Sequence, residues 1–198
     1  MTEISINIIV AIPPEAKPIN QHLKLVRDNR YDSFPLYRNN NIALVISGYG
    51  KQKSAAATTW LHQINNSNSD GIWINVGIAG HPTHRIGDAF LADAILDQAN
   101  GDSWSLPTAT TLPCPTEKVF SVDEIDNSYI NDGLVEMEAA GFYRSALECA
   151  TPDRIHCLKV VSDNHDNPTS DLNGKIVSNL IHNHLNILDT LIKTESTQ

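Results

Sequence analysis

Three acids in this chain each follow a stretch whose pattern reads as a strand: Glu15 after Ile4 to Ile12, Glu138 after Leu134 to Met137, and Asp163 after Ile155 to Val161. If the carboxyl ends of those strands converge, the acids could divide the work of cleaving a glycosidic bond, as water-activating base, partner of the sugar hydroxyls and proton donor to the leaving group. Each also has a plainer use. Glu15 and Glu138 sit where helices begin, and negative charge is favoured beside the free N–H groups of a first turn. Asp163 could equally cap the loop at Asn164 or Asp166. The stretch Leu134 to Gly141 carries two carboxylates, Glu136 and Glu138, on either side of Met137, at a junction where alternation gives way to helical spacing over Ala140, Tyr143 and Leu147.

The elements that must position these groups alternate along the chain. Ile4 to Ile12 reads as a buried strand stopped by Pro13 and Pro14, ahead of a helical pattern at Ile19, Leu23 and Val26. Phe34 to Tyr37 and Ile42 to Ser47 form a hairpin across Asn39, Asn40 and Asn41. Gly48 and Gly50 then make a glycine turn into a helix of small residues, Ser54 to Leu61. A second such turn, Gly77 to Gly80, closes the strand Gly71 to Val76. Ala89 to Leu96 is a further strand, Trp104 to Val119 is irregular or edge structure, and Phe120 to Val122 is a short strand before the polar stretch Asp123 to Asp132. Ile155 to Val161 is the last strand, and Thr169 to Thr194 reads as one final helix. This alternation predicts an α/β sheet that binds ligands at the carboxyl edge of its strands, with Gly48, Gly77 and Gly80 along one rim.

Composition narrows the classes. A chain of 198 residues suits a single domain spanning 1–198. Its formal charge of −9 and lack of a basic cluster argue against nucleic acid as a partner. The apolar run near the N-terminus is too short to span a membrane. Cys114, Cys149 and Cys157 form neither a disulfide framework nor a zinc spacing, which suits a reducing cytoplasm. Among the histidines, His81 and His84 lie in a loop with no carboxylate or cysteine close in sequence, and His182 and His184 face different sides of a helix, so no metal is expected. There is no GxSxG elbow for a serine hydrolase.

The motifs, taken together, resemble the nucleoside phosphorylase superfamily, and within it the 5′-methylthioadenosine/S-adenosylhomocysteine nucleosidases and related purine nucleosidases. Ala11-Ile12-Pro13-Pro14-Glu15 is similar to the family's first-strand motif, and Ser47-Gly48-Tyr49-Gly50-Lys51 to its SGxGK turn. Asn75 to Gly80 is similar to NxGxAG, followed by Gly87-Asp88; Val135-Glu136-Met137-Glu138-Ala139 matches VEMEA, and Val161-Ser162-Asp163 the terminal SD. The resemblance implies a three-layer α/β/α phosphorylase-like fold with a central mixed sheet. It implies that Glu15 activates water, Glu138 holds the ribose hydroxyls, Met137 packs on the sugar and Asp163 protonates the purine at N7. Ile12, Gly48, Tyr49, Ala79, Gly80, Phe120, Glu136 and Ser162 would complete the substrate site, with Phe120 stacking on the base. A small-molecule purine nucleoside, no cofactor and a homodimer are further implications. The chain departs from the family in four places: it is shorter between Leu96 and Leu134, has Ile78 where a serine is usual, has Tyr49 in place of an aliphatic residue, and has Lys159 at an arginine position. Phosphorylases hold phosphate with arginines, and only Arg85 stands near, so hydrolysis is expected over phosphorolysis. A phosphorylase, or a nucleoside-binding module without turnover, are the alternatives.

Overall fold

A computed structural model describes residues 4–65, 71–107, 112–126 and 128–195. Four parallel strands form its spine: β1 (Ile6–Val10), β4 (Ile42–Ile46), β5 (Ile72–Gly80) and β10 (Ile155–Asp163), with β1 between β4 and β5, and β5 between β1 and β10. Because they run the same way, the chain leaves all four at one edge. Glu15, the Gly48–Gly50 turn, Gly80 and Asp163 therefore arrive at that edge together, as the alternation of elements predicts.

The rest of the sheet curls round to meet the spine. Strand β6 (Ala89–Asp97) runs antiparallel to β10, β8 (Thr116–Ser121) runs parallel to β6, and β9 (Leu134–Glu136) runs parallel to β8. At Val135, β9 meets Gly80 of β5, so the five strands β5, β10, β6, β8 and β9 close on one another. This closure carries Glu136 and Glu138 to the edge where Glu15 and Asp163 lie. On the other flank, β3 (Leu36–Asn39) makes the expected hairpin with β4, and β2 (Val26–Arg27) pairs with β3. A short β7 (Ser103–Ser105) lies along β6.

Helices cover both faces, which gives the three layers. Along β1, Ile9 joins a core with Ala57 and Leu61 of α2 (Lys51–Asn65) and Phe142 and Tyr143 of α3 (Ala139–Ala146). Ile6, Ile8 and Val10 join the opposite core with Ile19 of α1 (Pro13–His22), Leu180 of α4 (Gly174–His182) and Leu188 of α5 (Leu185–Glu195). The period of two along a strand thus decides which helix layer each side chain meets. No described helix is long and apolar enough to cross a membrane.

Three expectations change. The predicted final helix is two helices. Asn183 caps α4, its N–H donating to the Asn179 carbonyl, and His184 Nε2 donates to the Gly87 carbonyl at 2.6 Å, so the chain turns and both apolar faces reach the same core. The first helix stops at His22, where Lys24 takes φ 53°, and Val26 lies exposed in a strand. The irregular middle contains the six-residue strand β8, which lies between two neighbours and not at an edge; its Val119 is buried while Glu117 and Lys118 are not.

Candidate active site

A cavity of about 550 Å³ opens at the carboxyl edge, and Glu15, Glu138 and Asp163 all line it. The acids come from three separate parts of the chain, yet each is at least nine-tenths buried, at 2%, 7% and 4% exposure. A larger groove of about 740 Å³ runs between α1 and α4, but Lys17, Lys175 and His182 line it and no carboxylate among the described residues does.

Glu15 is the third residue of α1, behind Pro13 and Pro14, whose missing N–H groups would have been orphans there in any case. Its side chain folds back over the helix start. The N–H groups of Ala11 and Ile12 donate to Oε2 at 2.9 and 3.1 Å, and that of Ile78 to Oε1 at 3.1 Å. Burial pushes the carboxyl above its ordinary value, against the pull of the Lys159 charge and these amides. A Cβ on Gly77 would stand 3.1 Å from Glu15 Oε1 and 3.4 Å from Lys159 Nζ, so the glycine keeps this approach open.

The two glutamates after β9 have different tasks. Glu136 is spent on the protein: Ser121 Oγ and the Ala139 N–H donate to Oε1, while the Glu138 N–H and Lys159 Nζ donate to Oε2 at 2.9 and 2.7 Å. It touches the cavity but has no capacity left for substrate. Lys159 is 1% exposed; burial disfavours its charge, and the carboxylates of Glu136 and Glu138 outweigh that and hold it above its ordinary value. Glu138 stands at the start of α3, where the Gly50 N–H donates to Oε1 at 2.7 Å, the one hydrogen bond of its carboxylate among the described residues. Burial first, and the Glu136 charge second, push Glu138 up to about 7. Its Oε2 is thus available to a ligand hydroxyl.

At the other end of the cavity wall, Ser162 Oγ donates to Asp163 Oδ1 at 2.5 Å and Tyr129 Oη to Oδ2 at 2.8 Å. Gly80 must lack a side chain here, because a Cβ would lie 2.5 Å from Asp163 Oδ2.

Of the other residues expected at the site, Ile12, Tyr49, Ala79, Gly80, Met137 and Ser162 line the cavity. Gly48 does not. It sits one layer behind, at φ +88°, with its N–H donating to the Ala11 carbonyl, and so shapes the turn that presents Gly50. Phe120 is a correction. Its ring packs against Gly133, where Cε2 is 2.8 Å from a hypothetical Cβ, and it does not line the cavity; Val122, Ile125 and Asp126 do. Phe120 pairs with Leu96 and Val135 and lies two residues before Val122, yet its ring lies over Gly133, where the lack of a side chain makes room for it, and not in the cavity. Pattern reading also missed Tyr129, Ser121 and the Lys159 ion pair. Ser121 ends a strand whose start was placed too late, and nothing local marks Tyr129, which reaches Asp163 across 34 residues.

The histidine loop is not short of a carboxylate after all. Glu117 Oε2 lies 3.4 Å from His84 Nε2, and His81, His84 and Glu117 make a cluster of metal-ligand type. Its arrangement does not suit a metal. His81 Nδ1 accepts the N–H groups of Thr83 and His84, which places the ring proton on Nε2, and the His81 and His84 rings stack at 3.9 Å, so their in-plane lone pairs do not converge.

No family model matches the chain, and no curated protein matches it in sequence. Solved structures do match. The 5′-methylthioadenosine nucleosidase of Arabidopsis thaliana aligns over 100% of this chain and 98% of its own, with a TM-score of 0.82 at 18% identity. The 5′-methylthioadenosine/S-adenosylhomocysteine nucleosidase of Helicobacter pylori, with butyl-thio-DADMe-Immucillin-A, aligns over 98% and 100%, at TM-score 0.78 and 14% identity. This chain has the methylthioadenosine nucleosidase fold. A futalosine hydrolase mutant from Helicobacter pylori shares that fold, at TM-score 0.78 and 14% identity over 96% of this chain and 99% of its own. The α/β/α architecture expected for the nucleoside phosphorylase superfamily is therefore the one found, and within the methylthioadenosine nucleosidase fold the cavity lies at the carboxyl edge of the parallel strands.

Proposed function

We propose that this chain is a hydrolase of the N-glycosidic bond of a purine nucleoside. The observation that carries the reading is the meeting of Glu15, Glu138 and Asp163 in one cavity of a chain with the methylthioadenosine nucleosidase fold. Glu15, raised by burial and held by three backbone amides, takes a proton from water as the water oxygen bonds to C1′ of the sugar. Glu138 accepts from the ribose hydroxyls through its open oxygen, with Met137 against the sugar. The C1′–N9 bond breaks through an oxocarbenium-like state, its electron pair passes into the purine, and Asp163 supplies the proton that leaves the base neutral. No cofactor enters this scheme. Tyr49, Ile125 and Val177 make the remaining wall largely apolar, which suits a base ring and an uncharged 5′ substituent; adenine is the base the resemblance favours.

Hydrolysis is preferred to phosphorolysis on charge. No lysine or arginine is among the described residues lining the cavity, Lys159 is bound to Glu136, and Arg85 is exposed in a loop outside it. Phosphate would meet carboxylates. The test is chromatography of adenine and hypoxanthine nucleosides after incubation, with and without phosphate. Free base and free sugar at a phosphate-independent rate are expected; sugar phosphate would establish the phosphorylase, and tight binding without release a binding module. We also expect a homodimer that covers the rim, where Tyr49 and Ile125 are 62% and 70% exposed; a monomer in light scattering would oppose it.

A further inference from the structure

Asp163 accepts from two hydroxyl groups, and the two are not equivalent. Ser162 Oγ has a second acceptor, the Ala79 carbonyl at 3.3 Å, so it can turn its hydrogen away from Oδ1. Tyr129 has Asp163 Oδ2 as its one hydrogen-bond partner among the described residues. Oδ1 is therefore the oxygen that can carry a proton to a ligand, while Oδ2 stays pinned.

Tyr129 does this from behind the wall. It is 6% exposed, and it does not line the cavity although Ser162, Asp163 and Gly80 do. Its ring is fixed on two sides: Cε1 lies 3.1 Å from where a Gly80 Cβ would stand, and the His165 ring meets it edge-on at 4.9 Å. Its backbone takes φ +47°, a conformation side chains other than asparagine and aspartate rarely adopt, and such an outlier is kept only where surrounding contacts insist on it. Burial and the bond to Asp163 hold the phenol above its ordinary value, so it remains a donor at any physiological pH.

We infer that Tyr129 is a positioning residue for Asp163: its hydroxyl fixes Oδ2 so that Oδ1 faces the purine ring nitrogen. The inference rests on the nucleosidase reading above. It assigns a function to the segment between β8 and β9, whose described residues form no helix or strand, namely to set the aim of the acid at the base end.

The test compares two substrates in wild type, Tyr129→Phe, Asp163→Asn and the double variant. A purine nucleoside needs a proton on its leaving group, whereas a nitrophenyl riboside does not. Tyr129→Phe should lower kcat on the purine nucleoside about tenfold with KM held within about twofold, and leave the nitrophenyl riboside unchanged, the size expected for the loss of one hydrogen bond to the acid. The double variant should be no slower than Asp163→Asn alone. Equal losses on both substrates, multiplying losses in the double variant, or an unaffected Tyr129→Phe would overturn the inference. Thermal melting checks that the variant is folded, and Tyr129→Met serves if it is not. Should the wild type cleave neither substrate, the nucleosidase reading fails by itself. Adenine affinity then decides the present point: a loss of about tenfold in Tyr129→Phe that vanishes in the Asp163→Asn background supports it, and any other pattern rejects it.

Discussion

The two ends of the cavity hold their acids by different means. At the sugar end, Glu15 rests on three backbone amides from the termini of β1 and β5, and Glu136 is neutralised by the buried Lys159. At the end proposed for the base, Asp163 rests on two side-chain hydroxyls, with no cation paired to it among the described residues, and one of them comes from a stretch outside the sheet. Amides fixed by a sheet cannot be re-aimed without moving strands. A hydroxyl on a connecting segment can be changed by one substitution. On the proposed reading, the sugar end would serve a constant task, the attack of water on a ribosyl carbon, and the base end one that can be retuned.

The sharpest way to break this comparison is to remove one acid from each end. Glu15→Gln should lower turnover of purine nucleoside and nitrophenyl riboside alike, by roughly 10²–10⁴-fold, because both need activated water. Asp163→Asn should cost at least about 10²-fold on the purine nucleoside only. If Asp163→Asn slows both substrates equally, the two ends are not separate.

The buried ion pair tests the rigidity of the sugar end. Lys159→Met removes the one charge that compensates Glu136 at full burial, and should cost about 3–5 kcal/mol of stability in denaturant unfolding. Adding Glu136→Gln should recover a large part of that loss, since a neutral side chain need not be paired. Failure of the second change to restore stability would mean that Lys159 matters for packing and not for charge.

A smaller effect follows from pH. Burial and Glu136 raise Glu138 from 4.5 to about 7, and burial raises Glu15 as well. The folded protein then holds these protons more tightly than the unfolded chain. The stability they contribute is complete below 4.5 and is lost as pH climbs through about 7. Under the proposed mechanism activity should run the other way, since the sugar hydroxyls and the water would need ionised carboxylates. Melting temperatures of wild type and Glu138→Gln should therefore draw apart with rising pH, to the disadvantage of the wild type, while wild-type kcat/KM increases over the same interval. Parallel melting curves would show that Glu138 is not strained by its burial.

The same contrast explains what was legible in the sequence. Glu15, Gly80 and Asp163 end or follow parallel strands whose patterns are plain, so their meeting at one edge is legible from the order of elements, whereas Glu138 is placed there by the motif resemblance. The closure of β9 on β5 was not legible, because β9 is three residues long and touches β5 through one pair, Gly80 with Val135. Phe120, the aromatic of its stretch, is the residue the sequence offers to the base, yet its ring faces Gly133. Tyr129 carries no local signal, since its partner lies far along the chain and no period marks a side chain that leaves an irregular segment to support a strand end. Motif residues fixed by backbone geometry announce themselves by spacing; side chains that support them from loops do not.

The mildest change probes how the sugar end keeps its register. Gly141, in the first turn of α3, packs against Lys51 at the start of α2, and a Cβ there would run into the Lys51 carbonyl. The N–H of the preceding residue, Gly50, is the group that donates to Glu138. One close helix contact thus sets both the depth of α3 and the donor on its leading acid. Gly141→Ala should push the helices apart, at a cost of about 1–3 kcal/mol for overpacking, and weaken the Gly50 bond. If Glu138 holds ribose and not the base, as proposed, KM should rise a few-fold for both the purine nucleoside and the nitrophenyl riboside, with kcat nearly constant. A rise confined to the purine nucleoside would place Glu138 at the wrong end of the cavity.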